Sequence, residues 1–138
     1  MTGEIAVVLD ASALLSYLAG EVAVGELMAE VADEGQHVGV PAVCLAAAHA
    51  AIDNELGTAL LALLVTAPVI RQLPLGADPG VDDARQAGTL ARAAGGDLAV
   101  GHAARAAIAH QAHFATTRSK TVAAVLPAGW SILDLSQT

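Results

Sequence analysis

Short apolar runs alternate with Ala-rich stretches of helical length along the whole of this chain. That alternation restricts the fold more than any single residue does, because it is the pattern of a parallel sheet joined by crossover helices. The runs 5–10, 37–40, 69–73, 114–117 and 131–135 read as strands. Between them, helices are predicted over 12–18, 22–34, 42–52, 56–65, 81–94, 97–111 and 122–126. Gly35 stops the second helix, Pro41 suits the first turn of the third, and Gly95-Gly96 closes the helix before the longest one. The stretch 74–80, Pro-Leu-Gly-Ala-Asp-Pro-Gly, is the clearest loop. No internal repeat or low-complexity tail interrupts the pattern, and 138 residues fit one domain, 1–138.

Composition narrows the core. Hydrophobic residues make up 55 % of the chain but aromatics only 2 %, so Ala, Val, Leu and Ile must build the interior, with helices packed closely over small side chains. No apolar run approaches the roughly 20 residues that span a bilayer. The N-terminal MTGEIAVV carries Glu4 in place of the basic segment of a secretory signal. Cys44 is the single cysteine and lies between Val43 and Leu45, so it is expected to be buried, inert and free of any internal disulfide. These features point to the cytoplasm. Net charge is −8, from 14 acidic and 6 basic residues, which handicaps an RNA binder that must contact phosphates and suits a basic protein partner. Arg105, Arg118 and Lys120 are the basic residues of the C-terminal third.

Asp10 ends the first apolar run, where open α/β sheets bind ligands outside the carboxyl ends of their strands. Ser12 is positioned to cap the helix that follows. The segment VLDASALLSYL resembles the opening of the PIN domain, an α/β nuclease fold common among VapC-like toxins of toxin–antitoxin pairs, and the order of elements matches that family along nearly the whole chain. The resemblance implies a three-layer α/β/α fold with a central, mostly parallel sheet. It also implies a set of carboxylates holding Mg²⁺ or Mn²⁺ for RNA cleavage, with Asp10 as the first of them.

The other acids of the pattern are replaced. Where PIN domains have a stretch like PAVNLAE, this chain has Pro41-Ala42-Val43-Cys44-Leu45-Ala46-Ala47, with Ala47 in the place of the Glu. Glu55 is no substitute, lying roughly 12 Å further along a helix axis, and Asp53 belongs to the helix end. A run like GLSLGD is matched by Asp97-Leu98-Ala99-Val100-Gly101-His102, which puts His102 in the place of the acid and leaves Asp97 to cap the helix. A run like LVTADR is matched by Ala115-Thr116-Thr117-Arg118-Ser119-Lys120, with Ser119 in the place of the Asp. An imidazole binds Mn²⁺ or Zn²⁺ but is a poor Mg²⁺ ligand, and a serine adds no charge. Asp10, Ser12, His102 and Ser119, with Ala47 at a lost acid position, are thus expected to converge at the strand ends as a vestigial site in which only Asp10 is a metal ligand. His49, His110 and His113 read as structural or surface residues, and no P-loop, GxGxxG, CxxC or GxSxG motif is present.

Two outcomes follow from the resemblance. One is a degenerate PIN-like protein that needs no cofactor and binds a protein or RNA partner without cutting it. The other is an active Mg²⁺- or Mn²⁺-dependent ribonuclease with a reorganised site built on Asp10, His102 and Ser119. PIN-type toxins pair into dimers, so a homodimer is expected, with an antitoxin as a further partner and neither a membrane nor a small-molecule cofactor.

Overall fold

Ile5–Leu9 forms β1, and its position explains its composition. It lies in the middle of a five-stranded sheet of order β3-β2-β1-β4-β5, with every neighbouring pair parallel. A strand covered on both faces has no solvent side, so it reads as a continuous apolar run without alternation. The computed structural model describes residues 4–76 and 82–136. The first residue of the 81–94 helix and the end of the 74–80 loop lie outside them.

The other strands are β2 (His37–Pro41), β3 (Ile70–Leu73), β4 (His113–Thr116) and β5 (Ile132–Asp134). The helices are α1 (Ala11–Leu18), α2 (Ala23–Asp33), α3 (Ala42–Ala51), α4 (Glu55–Leu64), α5 (Asp83–Ala91), α6 (Leu98–His110) and α7 (Ser119–Ala123). The mixed α/β architecture expected from the sequence is therefore present, with helices flanking a central parallel sheet. Among the described residues, no single helix is long and apolar enough to cross a membrane.

The interior is built as the composition demands. Val7, Val8 and Leu9 of β1, Val38 and Val40 of β2, and Phe114 and Ala115 of β4 are buried in one apolar cluster with Leu14, Val24, Leu61 and Val122 from the helices. Helix α6 is buried nearly all round, presenting Ala99, Val100, Gly101, Ala103, Ala104, Ala106 and Ala107 to its surroundings. Small residues are a requirement there. A methyl group on Gly101 would fall onto the Ala87 carbonyl oxygen and lie 2.8 Å from the Ala91 Cβ, so α5 and α6 approach closely only because that position is glycine.

Most boundaries shift by a residue or two, and two of the shifts have a clear physical reason. Pro41 ends β2 and sits at the N-cap of α3, one residue before the first helical turn. The short helix expected over 122–126 is instead Ser119–Ala123, begun at Arg118. Val125 and Leu126 are buried but lie in the turn that follows, both of their amides donating to the Val122 carbonyl. Apolar residues at 122, 125 and 126 report burial, which a turn packed on the sheet satisfies as well as a helix does.

Candidate functional site

The chain builds the sheet outward from β1 through β2 to β3, then crosses back to lay β4 on the other side of β1. Strand order reverses between β1 and β4, and in open α/β sheets the crevice at that reversal is the place for a ligand. Asp10 leaves β1 there and Thr116 ends β4 there.

Asp10 is 1 % exposed, and its carboxylate is engaged on both oxygens. Oδ1 accepts from Ser12 Oγ at 2.7 Å and from the Ala13 amide at 2.9 Å, while Oδ2 accepts from Thr116 Oγ1 at 2.7 Å. Asp10 itself is thus the N-cap of α1, the role assigned from sequence to Ser12. Ser12 does different work. Its hydroxyl donates to Asp10 and accepts from the Thr117 amide at 3.0 Å, and Thr116 likewise donates to Asp10 and accepts from the Arg118 amide at 2.9 Å. Through two hydroxyls one carboxylate fixes both the start of α1 and the turn after β4. Burial raises the Asp10 pKa, and the hydrogen bonds from Ser12, Thr116 and Ala13 together with the Arg118 charge oppose that rise. The Arg118 guanidinium also pairs with Asp97 at 3.2 Å, and Asp97 caps α6 by accepting from the Val100 amide, as its sequence position implied.

His102 faces a different partner. The α3 N-cap is Pro41, which offers no side-chain acceptor to the first turn. The Val43 amide donates instead to His102 Nδ1, at 3.3 Å, reaching from α3 to α6. With Nδ1 an acceptor, the ring proton is on Nε2. Burial holds the imidazole pKa below its usual value, against the opposing effects of Pro74 and the Asp83 carboxylate, so the ring is neutral. Asp83 in turn pairs with Arg105 at 2.9 Å. Cys44 lies beside this first turn of α3, its thiol donating to the Ala99 carbonyl; burial pushes its pKa up, and the Asp10 charge adds to the effect. It is buried and free, as expected.

Ser119 takes a third direction. Its hydroxyl donates to Asp134 Oδ2 at 2.9 Å, tying α7 to β5. The side chain bonded to Asp10 from this segment is Thr116, and it escaped the sequence reading, which placed the strand one residue late, over 114–117 and not His113–Thr116. Ala47 is half-buried against the core and carries no donor. Of the expected constellation the hydrogen bonds join Asp10 to Ser12, while His102 and Ser119 are each bound elsewhere, to α3 and to β5. Among the other histidines, His49 and His110 are exposed and His113 Nδ1 contacts Ser131 Oγ at 2.5 Å.

A hard divalent cation requires several oxygen ligands, preferably charged, with lone pairs to spare. This donor set does not fit one. Asp10 already accepts three internal hydrogen bonds, His102 Nδ1 is given to the Val43 amide, and the Ser119 hydroxyl is given to Asp134. Among the described residues, no group of three or more His, Cys, Asp or Glu side chains is placed to hold a metal ion.

No protein-family model matches the chain, and no curated protein does. Among solved structures, VapBC-1 from nontypeable Haemophilus influenzae is similar, with a TM-score of 0.60 and 16 % identity, over 96 % of this chain and 100 % of that one. At that identity the likeness is one of fold, and the fold is PIN-like.

Proposed function

We propose that this chain is a degenerate, VapC-like PIN-domain protein of the cytoplasm that acts by binding a partner and has no metal-dependent nuclease activity. The observation that carries this reading is the state of Asp10. A metal ligand in a working nuclease keeps its lone pairs for the ion and orients water at the phosphate. Asp10 spends both oxygens on the α1 cap and the turn after β4. The partner half of the reading draws support from the fold shared with VapBC-1, a toxin–antitoxin assembly. Net charge of −8 favours a protein over RNA as that partner.

The test is direct. Purified protein incubated with single-stranded and structured RNA in Mg²⁺ or Mn²⁺ should leave the RNA intact, and calorimetric titration should show no tight Mg²⁺ site. RNA cleavage abolished by Asp10→Asn would overturn the reading in favour of a reorganised nuclease.

A further inference from the structure

Helices α5 and α6 share a groove of about 260 Å³, lined by Arg85, Gln86, Thr89 and Leu90 from one and by Arg105 and Ile108 from the other. Leu90 and Ile108, both half-buried, give it an apolar wall. Its polar side chains are all able to donate: two guanidiniums, an amide and a hydroxyl. Among the described residues, no carboxylate lines it. In a chain with 14 acidic and 6 basic residues, two of the six cations stand in this one groove.

Two aspartates at the start of α5 hold the guanidiniums by one edge. Asp82 Oδ2 accepts from Arg85 Nε at 2.7 Å, and Asp83 Oδ1 accepts from Arg105 Nε at 2.9 Å. A guanidinium carries five N–H donors, and each arginine spends only the one on Nε. The terminal nitrogens of both, and the side-chain amide of Gln86, have no partner among the described residues. Arg105 is 19 % exposed, so its unspent donors are largely withdrawn from water, where a polar group is costly until it is paired. We propose that the α5–α6 groove binds a small carboxylic acid with a short alkyl or aryl body. Arg105, Arg85 and Gln86 receive the carboxylate, whose planar pair of oxygens matches the guanidinium fork, and the body lies on Leu90 and Ile108. At about 260 Å³ the groove is smaller than the roughly 300–1,000 Å³ of sites for drug-sized ligands, which keeps the body short. A second copy of the chain placed here would set arginine against arginine. This inference is independent of both the partner-binding and the nuclease halves of the proposed function.

Titration of isotope-labelled protein with octanoate, followed by NMR, would test it. The amides of Leu90, Arg105 and Ile108 should move together and saturate. Octanoate should bind at least about tenfold more tightly than acetate, which lacks the body, and than octanamide, which lacks the charge. Ile108→Ala should weaken octanoate and leave acetate unchanged. Arg85→Gln, at a side chain 70 % exposed, should weaken octanoate about threefold, and Arg105→Gln at least about tenfold. Arg105→Gln also gives up the Asp83 ion pair, so Gln86→Glu, which leaves that pair intact, keeps the test decisive. It sets a carboxylate against the ligand and should weaken octanoate about tenfold. Octanoate affinity unchanged in Gln86→Glu would overturn the proposal. So would equal binding of octanoate and octanamide, inorganic phosphate binding as tightly as octanoate, or shifts scattered over the whole surface. A concentration-dependent dimer in light scattering that Ile108→Glu dissolves would also overturn it, since the groove would then belong to a second copy.

Discussion

The crevice at the strand ends and the outer face of α4 are opposites. At the strand ends the buried Asp10 is paired with Ser12, Thr116 and Ala13, while His102 is bound to Val43 and Ser119 to Asp134. On α4 apolar groups point outward, with Leu56 and Leu63 largely exposed among the described residues. In a PIN-like fold the crevice would be the place for chemistry, yet here its side chains hold secondary-structure elements to one another. The comparison teaches that a residue's place at the strand ends says little about its work. What matters is which lone pairs and protons remain uncommitted after folding. By that measure Asp10 serves the structure, holding α1 and the turn after β4 in place.

If so, substitutions in the crevice should cost stability whether or not a metal is present. The largest loss is expected for Asp10→Ala, which removes the α1 cap and strands the donors aimed at the carboxylate, at about 3 kcal/mol in denaturant unfolding. Thr116→Val should cost about 2 kcal/mol, because it leaves a carboxylate oxygen and the Arg118 amide without their partner. Neither loss should change on adding Mg²⁺; a wild-type protein strongly stabilised by Mg²⁺ would break the contrast. The ionisation of Asp10 sharpens it further. Burial raises its folded pKa above 3.8, so between 3.8 and that higher value the folded state holds a proton the unfolded state has lost. Stability from this group is full below 3.8 and falls as pH rises through the folded pKa. Asp10→Asn does not titrate, so wild type should lose ground to it between acid and neutral pH.

His102 gives the opposite sign. Its folded pKa lies below 6.5, so its contribution is full above pH 6.5 and is lost as pH falls through the folded value. Protonation also removes the acceptor that serves the Val43 amide and places a cation at the positive end of α3. His102→Ala should cost about 2 kcal/mol at neutral pH, from the lost acceptor and the cavity. His102→Asn puts an amide oxygen near the position of Nδ1, so it should keep part of the cap and lose the acid sensitivity. Thermal unfolding of the three proteins between pH 5 and 8 would check this. An unaltered acid dependence in His102→Asn would show that another group titrates.

Much of this was legible in the sequence. The β1 run, Asp10 at its end and the helix after it are local features, carried by hydrophobic continuity and a short polar signal. The Asp97 cap was readable for the same reason, since a residue after two glycines and before a helical stretch has few other roles. What could not be read was direction. Whether residue 116 or 119 reaches Asp10 depends on the register of β4 against β1, where Leu9 pairs with Ala115, and a shift of one residue sends a strand side chain to the other face. The link from His102 to Val43 crosses 59 positions and exists because Pro41 cannot cap its own helix. No local pattern records such a debt of one helix settled by another. The α4 face was half visible: Leu56, Leu60 and Leu63 were in the predicted helix, but only the fold shows which leucines remain outside.

The smallest expected effect tests the other half of the contrast. Leu56→Ser and Leu63→Ser replace large apolar side chains, changes that cost several kcal/mol in a core. At 70 % and 67 % exposed, these two leucines lose little contact when truncated, and the serines gain water. Each substitution should therefore shift unfolding by no more than about 0.5 kcal/mol in dilute protein. The only other term is helix propensity, which disfavours serine by a few tenths. If the face were covered by a second copy in solution, the same substitutions would destabilise in a concentration-dependent way, because removing a buried interface shifts the assembly by mass action. Unfolding measured at two protein concentrations about a hundredfold apart separates these cases. A loss above about 1 kcal/mol that grows with concentration would show that the outer face of α4 is already occupied.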